Sequence, residues 1–190
     1  MARIWQNIAT LEARRYQCGF CGEKVASDIG FFAGANIGGY RPYIHICPNC
    51  SKPSFFLGPS QVPGVVPGNP VDHLPEDIER LYGEARRCIS VGAFTASVLA
   101  SRKLLMNIGV AHGAKEGLPF VQYINHLADM GFIPPNGRGW VDHIRTKGNE
   151  ATHEIAIMSG DDALELIAFA EMLLKFVFEF PAKVPAAPGE

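Results

Sequence analysis

The 190-residue sequence holds no charge-free apolar run long enough to cross a membrane. Its best candidate, ALELIAFAEMLLKFVFEF (Ala163 to Phe180), carries Glu165, Glu171, Lys175 and Glu179. Each would be costly at a bilayer centre, so the run reads as a buried or interface helix. The start, MARIWQNIATLEARR, lacks the apolar core of a secretory leader and reaches Glu12 early. A cytoplasmic protein with no membrane partner is therefore expected. No repeat recurs along the chain, which excludes a solenoid or propeller. An excess of either charge is also lacking, 17 basic residues standing against 19 acidic for a net −2. Divided at residue 60, however, the chain is +3 before and −5 after. Wrapping a long phosphate backbone needs several neutralising Lys or Arg, so the acidic part suits it poorly and the N-terminal part is the better electrostatic candidate.

What is present is a globular composition, 47% hydrophobic and 19% charged, with length for one or two small domains. GPSQVPGVVPGNPVDHLP, residues 58 to 75, has eight Gly or Pro in eighteen positions. Proline removes amide donors and fixes φ, so neither a helix nor a central strand is expected there. This gives a division into a small unit at 1–57, a linker at 58–73, a helical unit at 74–184 and a frayed tail at 185–190. Upstream the chain reads as short strands and turns: KVASD, FFAGANIGGY and YIHICPNCSKPSFFL. Downstream, Ile78, Leu81, Tyr82, Ala85 and Ile89 recur at helical spacing after Pro75, and Gly92 punctuates. Further helices are expected over about 94–108, 118–130, 139–145 and 161–180, the last opened by a capping box at Ser159 and stopped by Pro181.

Two CxxC pairs, Cys18/Cys21 and Cys47/Cys50, stand twenty-five residues apart. Each CxxC turn can aim two thiolates at one cation, and two of them complete a tetrahedral sulfur shell as in zinc ribbons. With so little core material before residue 57, metal binding would supply much of the folding free energy. Structural zinc is expected, with iron as the alternative, because the second knuckle is also similar to that of rubredoxin. That family's acidic strand between the knuckles is missing, and GFFAGANIGGY stands in its place. His45 reads as a strand residue and Cys88 as an inert core thiol. Arg14, Arg15, Lys24, Arg41 and Lys52, with Tyr16, Phe20, Tyr40 and Tyr43, could make a nucleic-acid or protein surface; alternatively the aromatics fill a thin core.

LPEDIERLYGEARRC, Arg102 in LASRKLL, the IRTKGNEATHE run and the acidic start of a final apolar helix carry a resemblance covering about residues 74 to 184. The chain resembles an uncharacterised bacterial family of unknown function grouped with the HEPN helical bundles, several members of which carry a four-cysteine knuckle pair before the helices. The resemblance implies a mainly α protein: a small β zinc ribbon followed by an antiparallel four- or five-helix bundle. It also implies a homodimer with the motif at the interface, and on the final helix Leu166, Phe169, Leu173, Val177 and Phe180 give more apolar surface than one bundle face needs. Many HEPN proteins are metal-independent ribonucleases with an Arg, four to six residues, then His motif. Asn149 and His153 match that motif, but Gly148 stands where its Arg belongs. Arg145 lies seven residues before His153, beyond the family's range.

In one continuous helix Arg145, Asn149 and His153 would share a face, with the outer two roughly 12 Å apart along the axis. They are the candidate catalytic residues, His moving a proton and Arg holding a phosphate. The same run has a purely structural reading, in which Asn149 and Thr152 cap backbone groups. Glu150 and Glu154 would then pair with Lys147, Arg145 or Arg102. His112, His126 and His143 lack metal-ligand spacing and read as surface residues. Three functions follow: a zinc-binding, nucleic-acid-associated accessory or defence-type protein; an endoribonuclease acting on RNA; or a protein-interaction module. The last rests on EARRCISVGAFTASVLASRKLL, which resembles a helix pair of tetratricopeptide type. RNA or DNA is the partner implied by the first.

Overall fold

A computed structural model describes residues 5–134 and 157–184, and the chain divides into two compact units, Met1–Val66 and Pro67–Glu190. The first unit is an antiparallel meander of five strands in sequence order: β1 (Ala9–Gln17), β2 (Lys24–Phe32), β3 (Tyr43–Ile46), β4 (Pro53–Leu57) and β5 (Ser60–Val62). Its pairing is irregular between Thr10 and Arg14 on β1. β2 and β3 approach closely at Gly30, where an added Cβ would sit 1.8 Å from the Ile44 carbonyl oxygen. Phe32, Tyr43, Phe56 and Gln61 form one cross-strand row, and Phe31, Ile44, Phe55 and Val62 the neighbouring one. The buried cluster at its centre is Tyr16, Cys18, Cys47 and Phe56, with Cys21, Val25, Tyr43 and Cys50 against it. So thin a core leaves the sulfur cluster at the heart of the unit's packing.

The second unit holds α1 (Glu76–Ser90), α2 (Phe94–Ala111), α3 (Phe120–Asp129) and α4 (Gly160–Leu174), then a π-helical turn (Lys175–Glu179) and α5 (Phe180–Lys183). α2 packs against α1, α3 and α4. The stripe read on α1 faces this core: Ile78, Tyr82 and Ala85 are buried, and Leu81 and Ile89 pack on its edge. Helices α1, α2 and α3 end the same way. Gly92, Gly113 and Gly131 take positive φ, and the residue after each bonds a carbonyl five positions back, at Cys88, Gly109 and Leu127. These are Schellman stops, for which glycine carries no Cβ penalty. Ser159 and Asp162 form the expected reciprocal capping box at the start of α4.

Three expectations change. The final helix does not stop at Pro181: the Phe180 amide bonds the Lys175 carbonyl five residues back, and Pro181 falls in the first turn of α5, where no proline N–H is needed. The stretch 58–73 does not behave as linker throughout. Ser60–Val62 adds an edge strand to the first unit, while in the second Arg86 donates to the Pro67 and Gly68 carbonyls and Tyr82 to that of Asn69. Glu171 accepts from the Asn69 amide and side chain, and Glu179 from the Asp72 amide. Of Leu166, Phe169, Leu173, Val177 and Phe180, expected to leave surplus apolar surface, the first four are buried and Phe180 alone of the five is exposed. No described helix is long and apolar enough to cross a membrane.

Candidate metal centre

The two knuckles are backbone copies of one another. In the first, the Gly22 amide donates to the Cys18 carbonyl at 2.9 Å and the Cys18 amide to that of Glu23 at 2.9 Å. In the second, Ser51 donates to Cys47 at 2.9 Å and Cys47 to Lys52 at 3.0 Å. Gly22 and Ser51, each directly after the second cysteine of its pair, have φ of 75° and 59°. Each turn sits at a hairpin end, between β1 and β2 or between β3 and β4, so strand pairing brings the two together. Gly19 is required by closeness: an added Cβ would lie 2.3 Å from the Gly64 carbonyl oxygen.

All four sulfurs lie within 4.8 Å of one another. Cys18 and Cys50 Sγ are 3.7 Å apart, and Cys21 and Cys47 Sγ 3.8 Å. A tetrahedral ion with metal–sulfur bonds of about 2.3 Å requires sulfur separations of about 3.8 Å, whereas a disulfide requires about 2.05 Å. The donor set therefore fits a metal ion, and all four cysteines are free. At Cys21, burial opposes ionisation but is outweighed by bonds from the Glu23 backbone, the Asn49 side chain and the neighbouring thiols, and its pKa falls to about 7. Burial and the other thiols push Cys50 up to about 12, and burial also raises Cys47. So many sulfurs cannot all ionise in one place without a cation, and loading the site must release protons.

Beside the cluster, Tyr16 packs edge-on against Phe56 at 5.0 Å, and its pKa is raised by burial and by the charge of Cys47, Cys18 and Cys50. His45 is a buried strand residue outside the sulfur group, as expected. Its Nδ1 lies 3.1 Å from the Ser27 carbonyl oxygen, which can only accept, so Nδ1 carries the proton. Burial, with the nearby Arg14 charge, holds His45 below its usual pKa against the opposing bond to Ser27. The surface aromatics divide. Tyr16 is buried and Tyr43 packs on the core, but Phe20, Phe32 and Tyr40 are exposed at 46%, 51% and 55%. Lys52 Nζ lies 5.0 Å above the Phe20 ring and Arg41 Cζ 5.3 Å above Phe32. Sequence reasoning missed Phe32, whose signal was its position at the end of β2 opposite Tyr43.

Residues 83–187 match a family described as a domain of unknown function, DUF4145. The chain belongs to the DUF4145 family. No curated protein and no solved structure matches the chain. The DUF4145 segment begins within α1 and includes α2, α3 and α4, whereas the four cysteines precede it. Arg145, Asn149 and His153 fall inside the matched segment but outside the described residues, as does His143. His112 and His126 are half-buried instead of superficial: His126 Nε2 lies 2.9 Å from the His112 carbonyl oxygen, and the His112 ring packs on Phe132. Cys88 is half-exposed. Arg102 is buried, its Nη1 has no hydrogen-bond partner among the described residues, and its guanidinium lies over the Phe120 ring; Glu150 and Glu154, the partners expected for it, lie outside the described residues.

Proposed function

We propose that Cys18, Cys21, Cys47 and Cys50 hold a structural zinc ion, making the first unit a zinc ribbon, and that this ribbon docks the protein on single-stranded nucleic acid. A shell of four sulfurs leaves no position for water or substrate, which favours an architectural ion. The observation that carries the docking is the pairing of exposed rings with cations, Phe20 with Lys52 and Phe32 with Arg41. Such a pair offers a base a stacking platform and the adjoining phosphate a charge. The ribbon's net +3 favours the same partner. The role is accessory: the ribbon supplies contact and the DUF4145 segment supplies a helical scaffold.

Fluorescence anisotropy with a labelled single-stranded RNA or DNA of about ten nucleotides tests this. Binding should weaken steeply with salt, and Arg41→Ala and Lys52→Ala should each reduce the log–log salt slope by about 0.7. Phe20→Ala and Phe32→Ala should each cost roughly 1–3 kcal/mol for a stacked base. Binding that is insensitive to all four changes would refute the reading. The homodimer belongs to the same proposal, with Leu164, Phe176 and Phe180 on the last helical run, 42–44% exposed, as the surface supporting it. The ribonuclease reading has its own test, RNA cleavage abolished by His153→Ala.

A further inference from the structure

The structure assigns a second binding site to the helical unit: we propose that Arg102, at the N-terminal end of α3, seats a small phosphate-type oxyanion. Arg102 projects from α2 and is 7% exposed. Among the described residues its Nη1 is the one buried cationic nitrogen without a hydrogen-bond partner. Burying an unbalanced arginine costs several kcal/mol, so a buried guanidinium nitrogen that no described residue satisfies points to an anion. Its neighbour defines where that anion sits. The guanidinium carbon is 4.3 Å from the ring centroid of Phe120, the first residue of α3. A ring centroid contact uses none of the guanidinium N–H groups, and those groups are what grip an oxyanion.

The helix end supplies a complementary field. α3 is ten residues long, begins directly after Pro119, has no side-chain cap and carries no acidic residue in its first turn. The Leu118 amide is taken by the Tyr123 hydroxyl and the Gln122 amide by the Pro119 carbonyl. The positive end of the helix dipole thus lies on the Phe120 side of the guanidinium, with no acidic residue in that first turn to neutralise it. Arg102 itself has its pKa drawn below the usual arginine value by burial, the direction an unbalanced buried cation takes.

The size of the ligand follows from charge. Residues 67–190 hold eleven basic and sixteen acidic residues, a net −5. That field repels a nucleic-acid backbone, whereas one buried phosphate answers mainly to the groups that touch it. The site therefore takes inorganic phosphate or the phosphate of a mononucleotide, and it is independent of the ribbon's docking surface.

The test uses the metal-loaded full chain at fixed ionic strength, with phosphorus NMR line broadening and thermal midpoint followed against inorganic phosphate and, separately, adenosine monophosphate. Wild type should show saturable binding and a rising midpoint, and Arg102→Met should bind at least tenfold more weakly. Because methionine replaces an unbalanced cation with an apolar chain, that variant should keep its fold. If it does not, Arg102→Lys, which keeps the charge but loses the fork, should still show weakened binding. Tighter binding of the nucleotide would name it as the source, and equal binding would name free phosphate. The assignment is overturned if wild type shows no saturable binding, or if the Arg102 variants bind phosphate as wild type does.

Discussion

Ser51 and Gly22 occupy the same backbone place in the two cysteine knuckles, but only one is suited to it. A left-handed conformation costs an ordinary L-residue roughly 1–2 kcal/mol, and glycine returns part of that advantage through unfolded-state entropy. Ser51→Gly should therefore stabilise the metal-loaded protein by about 0.5–1 kcal/mol. Gly22→Ala should destabilise it by about 1 kcal/mol, although open space surrounds the position. Denaturant titration of the two variants beside wild type checks both signs. The ligand cysteines were readable in the sequence because a CxxC turn makes its geometry within four residues. The contact of Arg102 with Phe120 was not, because it joins two different helices.

Among the elements, the segment around Asn69 shows how far side chains can reorganise a stretch that composition marks as irregular. Glu171 accepts two bonds from Asn69, at 2.8 and 2.9 Å, and pairs with Lys175. Burial of Glu171 raises its pKa, but the bonds from Lys175 and Asn69 outweigh that and hold it below the usual carboxylate value. A depressed folded-state pKa adds stability above the unfolded value of about 4.3 and loses it as pH falls through the folded value. Glu171→Gln should thus lower the unfolding free energy by about 2 kcal/mol at pH 7, and the gap to wild type should narrow towards pH 3. Urea midpoints at the two pH values decide it. Gly92→Ala, which removes the glycine from the stop of α1, should cost about 1 kcal/mol by the same denaturant measurement.

For the whole molecule, metal should matter to one unit far more than to the other. The sheet unit buries few side chains around its sulfurs, whereas the helical unit packs Tyr82, Leu104, Leu105, Ile108, Ile124, Leu127, Ile167, Phe169 and Leu173 into a core of its own. Chelation should remove on the order of 10 kcal/mol from the first unit and leave the helices formed. Trp5 reports the loss, since its indole N–H donates to the Ser51 carbonyl beside the second knuckle. In a Trp140→Phe background, chelator should shift Trp5 emission to the red while far-ultraviolet helical dichroism persists. Elemental analysis with a visible spectrum identifies the ion, because zinc sites are colourless and iron–sulfur coordination is not. For the proposed dimer, light scattering of Phe176→Glu with Phe180→Glu should give the monomer mass.

By itself the sequence determined what depends on near neighbours. The CxxC knuckles, the buried stripe of α1, the Gly92 stop and the Ser159 capping box are each made within a few residues, so their residue types already imply their geometry. Tertiary structure alone decided the rest. Asn69 meets Glu171 across 102 positions, turning part of an apparent linker into packed chain. Leu166, Phe169, Leu173, Val177 and Phe180 could all have faced a second subunit, but the first four are buried in the core cluster of the same chain and Phe180 stays exposed. Arg102 lies against Phe120 because α2 and α3 pack together. In each case a side chain's role depends on what long-range packing sets beside it, and local spacing carries no record of that.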